Sequence, residues 1–200
     1  MAKMLTTPDG VHHVLAASSP STWGRRIAAD LAAEIEPYIG EVESLPELRR
    51  LLAIDGYRGL THRIEQAVTG RSGPQAVVHM AHAMRGYALG NPGLAAASFR
   101  TLDVTSAEWK DAGASLAHTV MTVLASCGLC EAKASHAALI LRSLVRGFIV
   151  NEMSTPNSAL DFHESFDLAV RIFVYGLPEL EKMIPFDDRK TDRAPYNDAA

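Results

Sequence analysis

Aromatic residues and cysteines are scarce in this chain of 200 residues. Aromatic residues make up 6% of it, and there are two cysteines. Two cysteines, Cys127 and Cys130, cannot supply the disulfide framework of a small secreted domain. No apolar run approaches about 20 residues, which excludes a membrane-spanning helix, and the N-terminus lacks the charged-then-apolar pattern of a signal peptide. We therefore expect a globular, cytoplasmic protein with no membrane partner, long enough to bury a core without cross-links.

The chain also lacks an excess of basic residues. Its 19 Lys and Arg residues stand against 23 Asp and Glu residues, for a net charge of −4. Proteins that bind nucleic acid are usually basic, because contacts to phosphate dominate their affinity. The composition therefore argues against strong DNA binding unless basic residues cluster locally.

Helix-forming residues are abundant, and apolar residues recur at helical spacing along most of the chain. We find no strand pattern and no internal repeat. The sequence predicts an all-α protein of about nine helices, three short ones at the front and six behind. The six are predicted at residues 45–69, 75–89, 94–99, 105–126, 131–151 and 160–175. Gly176 and Pro178 are expected to end the last helix, and residues 181–200 are predicted to form a flexible polar tail.

Two stretches near the front have the spacing of a helix-turn-helix module. Residues 27–34 (Ile-Ala-Ala-Asp-Leu-Ala-Ala-Glu) are followed by residues 38–48 (Tyr-Ile-Gly-Glu-Val-Glu-Ser-Leu-Pro-Glu-Leu). Further along come Tyr-Ala-Leu-Gly-Asn-Pro-Gly at 87–93, Arg-Gly-Phe at 146–148 and Gly-Leu at 176–177. In this order and register the segments resemble the TetR family of transcriptional regulators, over about residues 23–177.

The resemblance implies two domains and a set of partners. A three-helix, helix-turn-helix-like module is expected at residues 8–48, and a helical ligand-binding and dimerisation domain at residues 49–180. The last two helices of each chain would form a homodimer, and a charge at Val170 or Phe173 would break it if those residues face the partner. A small, mostly apolar effector would bind in the helical body, without a cofactor. The residues expected at this ligand site are Tyr57, His82, Met84, Tyr87, Phe99, His118, Met121 and Arg146.

The front module departs from the family pattern in its charges. From Ala32 to Leu48 there is no Lys or Arg, but there are five Glu residues. Carboxylates between two rows of phosphates repel DNA. Contacts to DNA would then depend on flanking residues, for which the candidates are Arg25, Arg26, Tyr38, Arg49 and Arg50.

Two functions stay open at this stage. One is a ligand-responsive transcriptional regulator, and the other is a protein of the same fold that has lost DNA binding and acts as a small-molecule-binding protein or an enzyme. The front segment could also be only a helical cap. We recognise in the sequence no pattern of a catalytic nucleophile with its base, of a phosphate-binding loop or of a pair of catalytic acids. An enzyme is therefore the less favoured interpretation.

Two histidines and two cysteines have spacings that metal sites use. His79 and His82 lie three residues apart on one predicted helix, and His118 or His136 could complete a site. No carboxylate lies beside them in sequence, so we interpret them as pocket or surface histidines and predict no metal. Cys127 and Cys130 form a CxxC motif without a second pair or a preceding strand, which favours small buried residues at a helix junction.

Two arginines interrupt the most apolar predicted helix. Arg142 and Arg146 are four residues apart, and a charge in such a helix needs a partner if it is buried. Asp161 or Glu164 on the next helix could provide that partner, and an anionic ligand is the alternative.

Overall fold

The computed structural model describes residues 45–98, 106–155 and 161–183, and six helices occupy these ranges. They are α1 (Leu45–Val68), α2 (Gly73–Gly90), α3 (Pro92–Ser98), α4 (Ala107–Ala125), α5 (Glu131–Ser154) and α6 (Phe162–Met183). The described ranges contain no strand, so the all-α class is confirmed, and the six later helices lie where they were predicted. The three helices predicted at the front, and the tail beyond residue 183, lie outside the described residues.

Side-chain caps explain where two of the helices begin. The Ser106 hydroxyl accepts a hydrogen bond from the Trp109 backbone N–H at 3.1 Å, at the start of α4. Asp161 Oδ1 accepts from the backbone N–H groups of His163 (2.8 Å) and Glu164 (3.0 Å), at the start of α6. The bonds from Glu164 and His163 stabilise the carboxylate and hold the pKa of Asp161 below its usual range.

The last helix is longer than predicted. Gly176 and Pro178 were expected to end it near Tyr175, but α6 continues to Met183 with Pro178 inside it. Leu177 is fully buried and Leu180 packs against the core, so the extra turns bury apolar surface. A proline inside a helix costs about 3 kcal/mol. Fully burying a leucine stabilises by roughly 1.5–3 kcal/mol, so Leu177 offsets much of that cost and the partly buried Leu180 adds further stabilisation.

Helix α2 lies at the centre of the fold, because it contacts each of the other five described helices. Helix α1 packs against α2, α3 and α4, while α5 packs against α2, α4 and α6. Every described helix except α3 contributes to the largest fully buried side chains, which are Leu52, Ile54, Ile64, Val77, Met80, Leu124, Leu141, Ile149 and Phe166. No helix in the described ranges is both long and apolar enough to span a membrane.

Val170 belongs to this core and does not face outward, since none of its surface is exposed within the single chain. Phe173 is half-buried and packs against the same core. A charge at Val170 would therefore disrupt the interior of the chain itself, which corrects the expectation that it would act on a dimer contact.

Candidate functional site

Large apolar side chains are exposed on the outer faces of α5 and α6. On α6 the exposed fractions are 58% for Leu168, 64% for Ile172 and 80% for Tyr175. These three residues are spaced four and three apart, so they form one stripe along the helix, here called the outer stripe. Leu139 and Ile140 are about half exposed on α5. Apolar side chains grouped in this way are typical of a surface that another molecule covers.

A tyrosine and a tryptophan meet where α1 packs against α4. The rings of Tyr57 and Trp109 are 6.4 Å apart, centroid to centroid. Gly113 on α4 lies beside the Tyr57 ring, at a distance where a methyl group would make an ordinary van der Waals contact with Cε2, 3.7 Å away. Burial raises the pKa of the Tyr57 hydroxyl, and the positive charge of Arg142 opposes the rise.

The indole N–H of Trp109 is the unusual feature of this contact. Nε1 is buried and has no hydrogen-bond acceptor among the described residues. Leaving a buried donor without a partner costs about 1–3 kcal/mol. An acceptor on a bound molecule would remove that cost.

Tyr87 fills a second space beside α1. A methyl group at Gly59 would collide with the Tyr87 hydroxyl and lie 2.9 Å from its Cζ atom. The ring of Tyr87 therefore occupies room that only a glycine leaves free. Its backbone carbonyl accepts from both the backbone N–H and the side-chain amide of Asn91, which ends α2.

The residues predicted at the ligand site are distributed over several parts of the structure. Tyr57 is on α1, and Tyr87, on α2, packs beside Gly59 of α1. Met84 and Met121 are half-buried against the core. His82 faces α6. His118 and Arg146 are exposed on α4 and α5, and Phe99 lies outside the described residues. Trp109 was not predicted, because a single tryptophan in the first turn of a helix gives no sign that its N–H is buried.

The candidate DNA contacts are mostly beyond the described ranges. Arg25, Arg26 and Tyr38 precede α1. Arg49 lies in the first turns of α1. Arg50 is in the same turns, and its Nη2 atom is 3.8 Å from Oε1 of Glu47.

A charged network that the sequence did not reveal joins α2 to α5 and α6. Arg85 contacts Glu152 through two bonds, Nη2 to Oε1 at 2.8 Å and Nε to Oε2 at 3.0 Å. Its guanidinium carbon lies 5.2 Å from the centroid of the Phe166 ring, a cation–π distance. These residues are distant in sequence, and no local pattern pairs them.

The second part of the network lies beside the first. His82 Nε2 is 3.4 Å from Asp167 Oδ1, and Arg171 Nε is 2.8 Å from Asp167 Oδ2. The His82 ring also meets the edge of Phe166, at 5.3 Å between centroids. The network therefore fixes the first half of α6 against α2.

Two interpretations of single residues change with the structure. Arg142 and Arg146 are exposed, so water can solvate their charges and neither needs a buried partner; Asp161 instead caps α6. Cys130 is exposed and Cys127 is half-buried, so the interpretation of both as buried residues is wrong for Cys130. Burial raises the pKa of the Cys127 thiol.

Comparisons with known proteins agree with this helical architecture. Residues 77–173, from α2 into α6, match the family described as the tetracycline repressor-like C-terminal domain. The fold and this match define the class, a helical domain of the tetracycline repressor type.

Two curated relatives extend the likeness over more of the chain. The uncharacterized HTH-type transcriptional regulator Rv0681 of Mycobacterium tuberculosis is 31% identical over 148 residues, which cover 73% of this chain and 68% of the relative. The uncharacterized HTH-type transcriptional regulator YobS of Bacillus subtilis is 30% identical over 138 residues, 68% of this chain and 71% of the relative. The chain belongs to the TetR-like family of helix-turn-helix transcriptional regulators, which confirms the resemblance drawn from its motifs.

The Arg85 network generates a prediction about stability. We expect Arg85→Met to lower the free energy of unfolding by about 1–3 kcal/mol, because Glu152 would be left half-buried without its partner. Arg171→Met is the matched control, since the Arg171 side chain is 65% exposed and an exposed pair contributes about 0–1 kcal/mol. Urea unfolding followed by circular dichroism measures both. Equal effects of the two substitutions would contradict the prediction.

Proposed function

We propose that the protein is a ligand-responsive transcriptional regulator that acts as a homodimer. It binds a small, mostly apolar molecule in the helical body and contacts DNA through the segment that precedes α1. The regulatory role is that of the family. The observation that carries the ligand is the buried indole N–H of Trp109, which lacks an acceptor among the described residues.

The surroundings of Trp109 favour an apolar ligand with one hydrogen-bond acceptor. Tyr57 presents a half-buried ring on one side, and Gly113 on α4 lies beside that ring. A ligand carbonyl or ether oxygen would accept from Nε1, while its apolar part would contact the aromatic rings. Such a molecule would lie between α1 and α4, where it could alter how α1 carries the DNA-contacting segment.

This proposal predicts an unusual result for Trp109→Phe. In the absence of ligand, the free energy of unfolding should change by less than about 1 kcal/mol, because the smaller ring loses contacts but removes an unsatisfied donor. Affinity for an apolar ketone or ester found by a thermal-shift screen of such compounds should fall about fivefold or more, as the loss of one hydrogen bond predicts. Phe148→Leu, in the contact between α5 and α6, is the control and should leave that affinity unchanged. Ligand affinity that is unaffected by Trp109→Phe would refute the site.

The homodimer is proposed from the outer stripe. Helix α6 has two apolar sides: Phe166, Val170 and Leu177 are buried in the chain's own core, and the outer stripe is exposed. Exposing three large apolar side chains on one helix is unfavourable unless another surface covers them. A two-fold axis would place the same face of a second chain against it, which is the usual arrangement in homo-oligomers.

The dimer proposal is tested by Ile172→Glu. Each dimer would bury two new carboxylates, so sedimentation velocity at micromolar concentration should show a dimer for the unaltered protein and a folded monomer for the variant. Ala114→Glu adds the same charge at an exposed position of α4 and should leave the dimer intact. A monomeric unaltered protein, or a dimeric Ile172→Glu variant, would contradict the proposal.

DNA binding is proposed from the family and from residues 27–48, nearly all of which precede the described ranges. The glutamates in this segment predict weak binding that depends on the flanking arginines. The alternative function, a protein of this fold that no longer binds DNA, is separated from it by the same measurement.

Fluorescence anisotropy with a duplex from the region upstream of the protein's own gene provides that measurement. A regulator should bind with affinity that falls steeply as salt is added, and Arg26→Ala should abolish most of it, while Arg58→Ala on the C-terminal domain should not. No binding by the unaltered protein at low salt, with non-specific binding restored by Glu41→His and Leu45→Lys, would favour the alternative.

A further inference from the structure

A groove on the outer side of α1 and α2 is lined by basic residues. It has a volume of about 430 Å³ and is open to solvent. Its polar lining is Arg63, Gln66, Arg71, His79 and His82, with two alanines completing the wall. No carboxylate is among the lining residues. The size is within the range of about 300–1,000 Å³ that small-molecule sites occupy.

The positive character of this groove runs against the charge of the whole chain. The protein carries a net charge of −4, yet the stretch from Gln66 to Leu102 contains three arginines and no Asp or Glu. Helix α2 lies entirely within this stretch. At the groove itself two lining side chains, Arg63 and Arg71, are cationic and none is acidic, and a cleft lined by one sign of charge concentrates anions from solution.

The hydrogen-bond donors that line the groove differ in whether they already have a partner within the protein. Arg71, which follows α1, donates through Nη1 to the carbonyls of Ala67 (2.9 Å) and Thr69 (3.4 Å) at the end of that helix. Within the described ranges, Arg63 has no carboxylate within ion-pair distance and His79 has no hydrogen-bond partner. By contrast, Arg85 on the same helix as His79 is held by two bonds to Glu152. The groove therefore has cationic and N–H donors that no carboxylate occupies, whereas Arg85 in the nearby network is already paired with Glu152.

We propose that this groove binds a small organic anion through a phosphate or carboxylate group. The guanidinium groups of Arg63 and Arg71 and the imidazole of His79 would donate to its oxygens, and charge-assisted bonds of this kind are the strong ones. Ala67 and Ala83 would contact the rest of the molecule. Neither Trp109 nor Tyr57 lines this groove, so the site is separate from that of the apolar ligand proposed above.

His82 connects the groove to α6. Its Nε2 atom faces Asp167 on α6, whose other oxygen pairs with Arg171. Because Arg171 compensates the charge of Asp167, that carboxylate repels an anion in the groove only weakly. An anion that accepts from His82 would compete with Asp167 for the same imidazole and so weaken one contact between α2 and the helix that carries the outer stripe.

The test is isothermal titration of the full chain at constant ionic strength with two probes, pyrophosphate and citrate. We expect saturable, one-to-one binding of at least one of them, and the tighter probe assigns the phosphate or the carboxylate as the recognised group. Arg63→Gln and His79→Gln should each weaken that binding by about tenfold, as the removal of one charge-assisted hydrogen bond predicts. Arg63 is exposed and His79 is only half-buried, so both variants should remain folded, which circular dichroism checks.

Arg58→Gln is the matched control, because it removes the same charge from the same helix, outside the groove, where Arg58 pairs with Glu108 at 2.8 Å. It should leave the affinity within about twofold, a change worth less than 1 kcal/mol. Absence of saturable binding of both probes would overturn the proposal. Equal losses of affinity in Arg58→Gln and Arg63→Gln would also overturn it, because they indicate a diffuse charge effect. Binding of duplex DNA that requires Arg63, when neither probe binds, would overturn it as well.

Discussion

Burial of α2 against all five of the other described helices is the constraint on which the rest of this structure depends. Small residues make that burial possible: Ala76, Ala81 and Ala88 are buried on α2, and Ala134 and Ala137 on α5. Small side chains let helices approach closely, and alanine also keeps its helix propensity. With its inner sides used in packing, α2 retains one narrow outer face, and this face supplies His79 and His82 to the groove.

The helical periodicity of the sequence was enough to locate the six described helices, because amphipathic spacing and caps are local signals. The end of α6 was missed because the burial of Leu177 and Leu180 depends on helices far away in sequence. The same reason explains why Val170 was expected at a dimer contact. Its apolar character could not show whether it would pack in the chain's own core or against a partner chain. Sequence identifies an apolar position, but only the fold distinguishes the chain's own core from a surface for a partner.

Site residues were harder to predict than helices. Tyr57 was expected at a ligand site, and it does lie in a half-buried aromatic contact, but its neighbour Trp109 was overlooked. Arg142 and Arg146 drew attention because they interrupt an apolar helix, yet they are exposed. Arg85 and Glu152, which are paired, gave no signal because 67 residues separate them. Local patterns report the environment of a side chain within one helix, whereas pairing and satisfaction of hydrogen bonds arise between helices.

The two apolar sides of α6 restrict how this helix can change over evolution. Successive residues on a helix are rotated by 100°, because 3.6 residues complete one turn. A single-residue insertion near the start of α6 would therefore turn Val170 and Leu177 out of the core and move the outer stripe from its place at the same time. A substitution can spare one of the two surfaces, but a change of length harms both. Helix α6 should accept varied side chains among related sequences while keeping its register from Asp161 to Leu177 free of gaps.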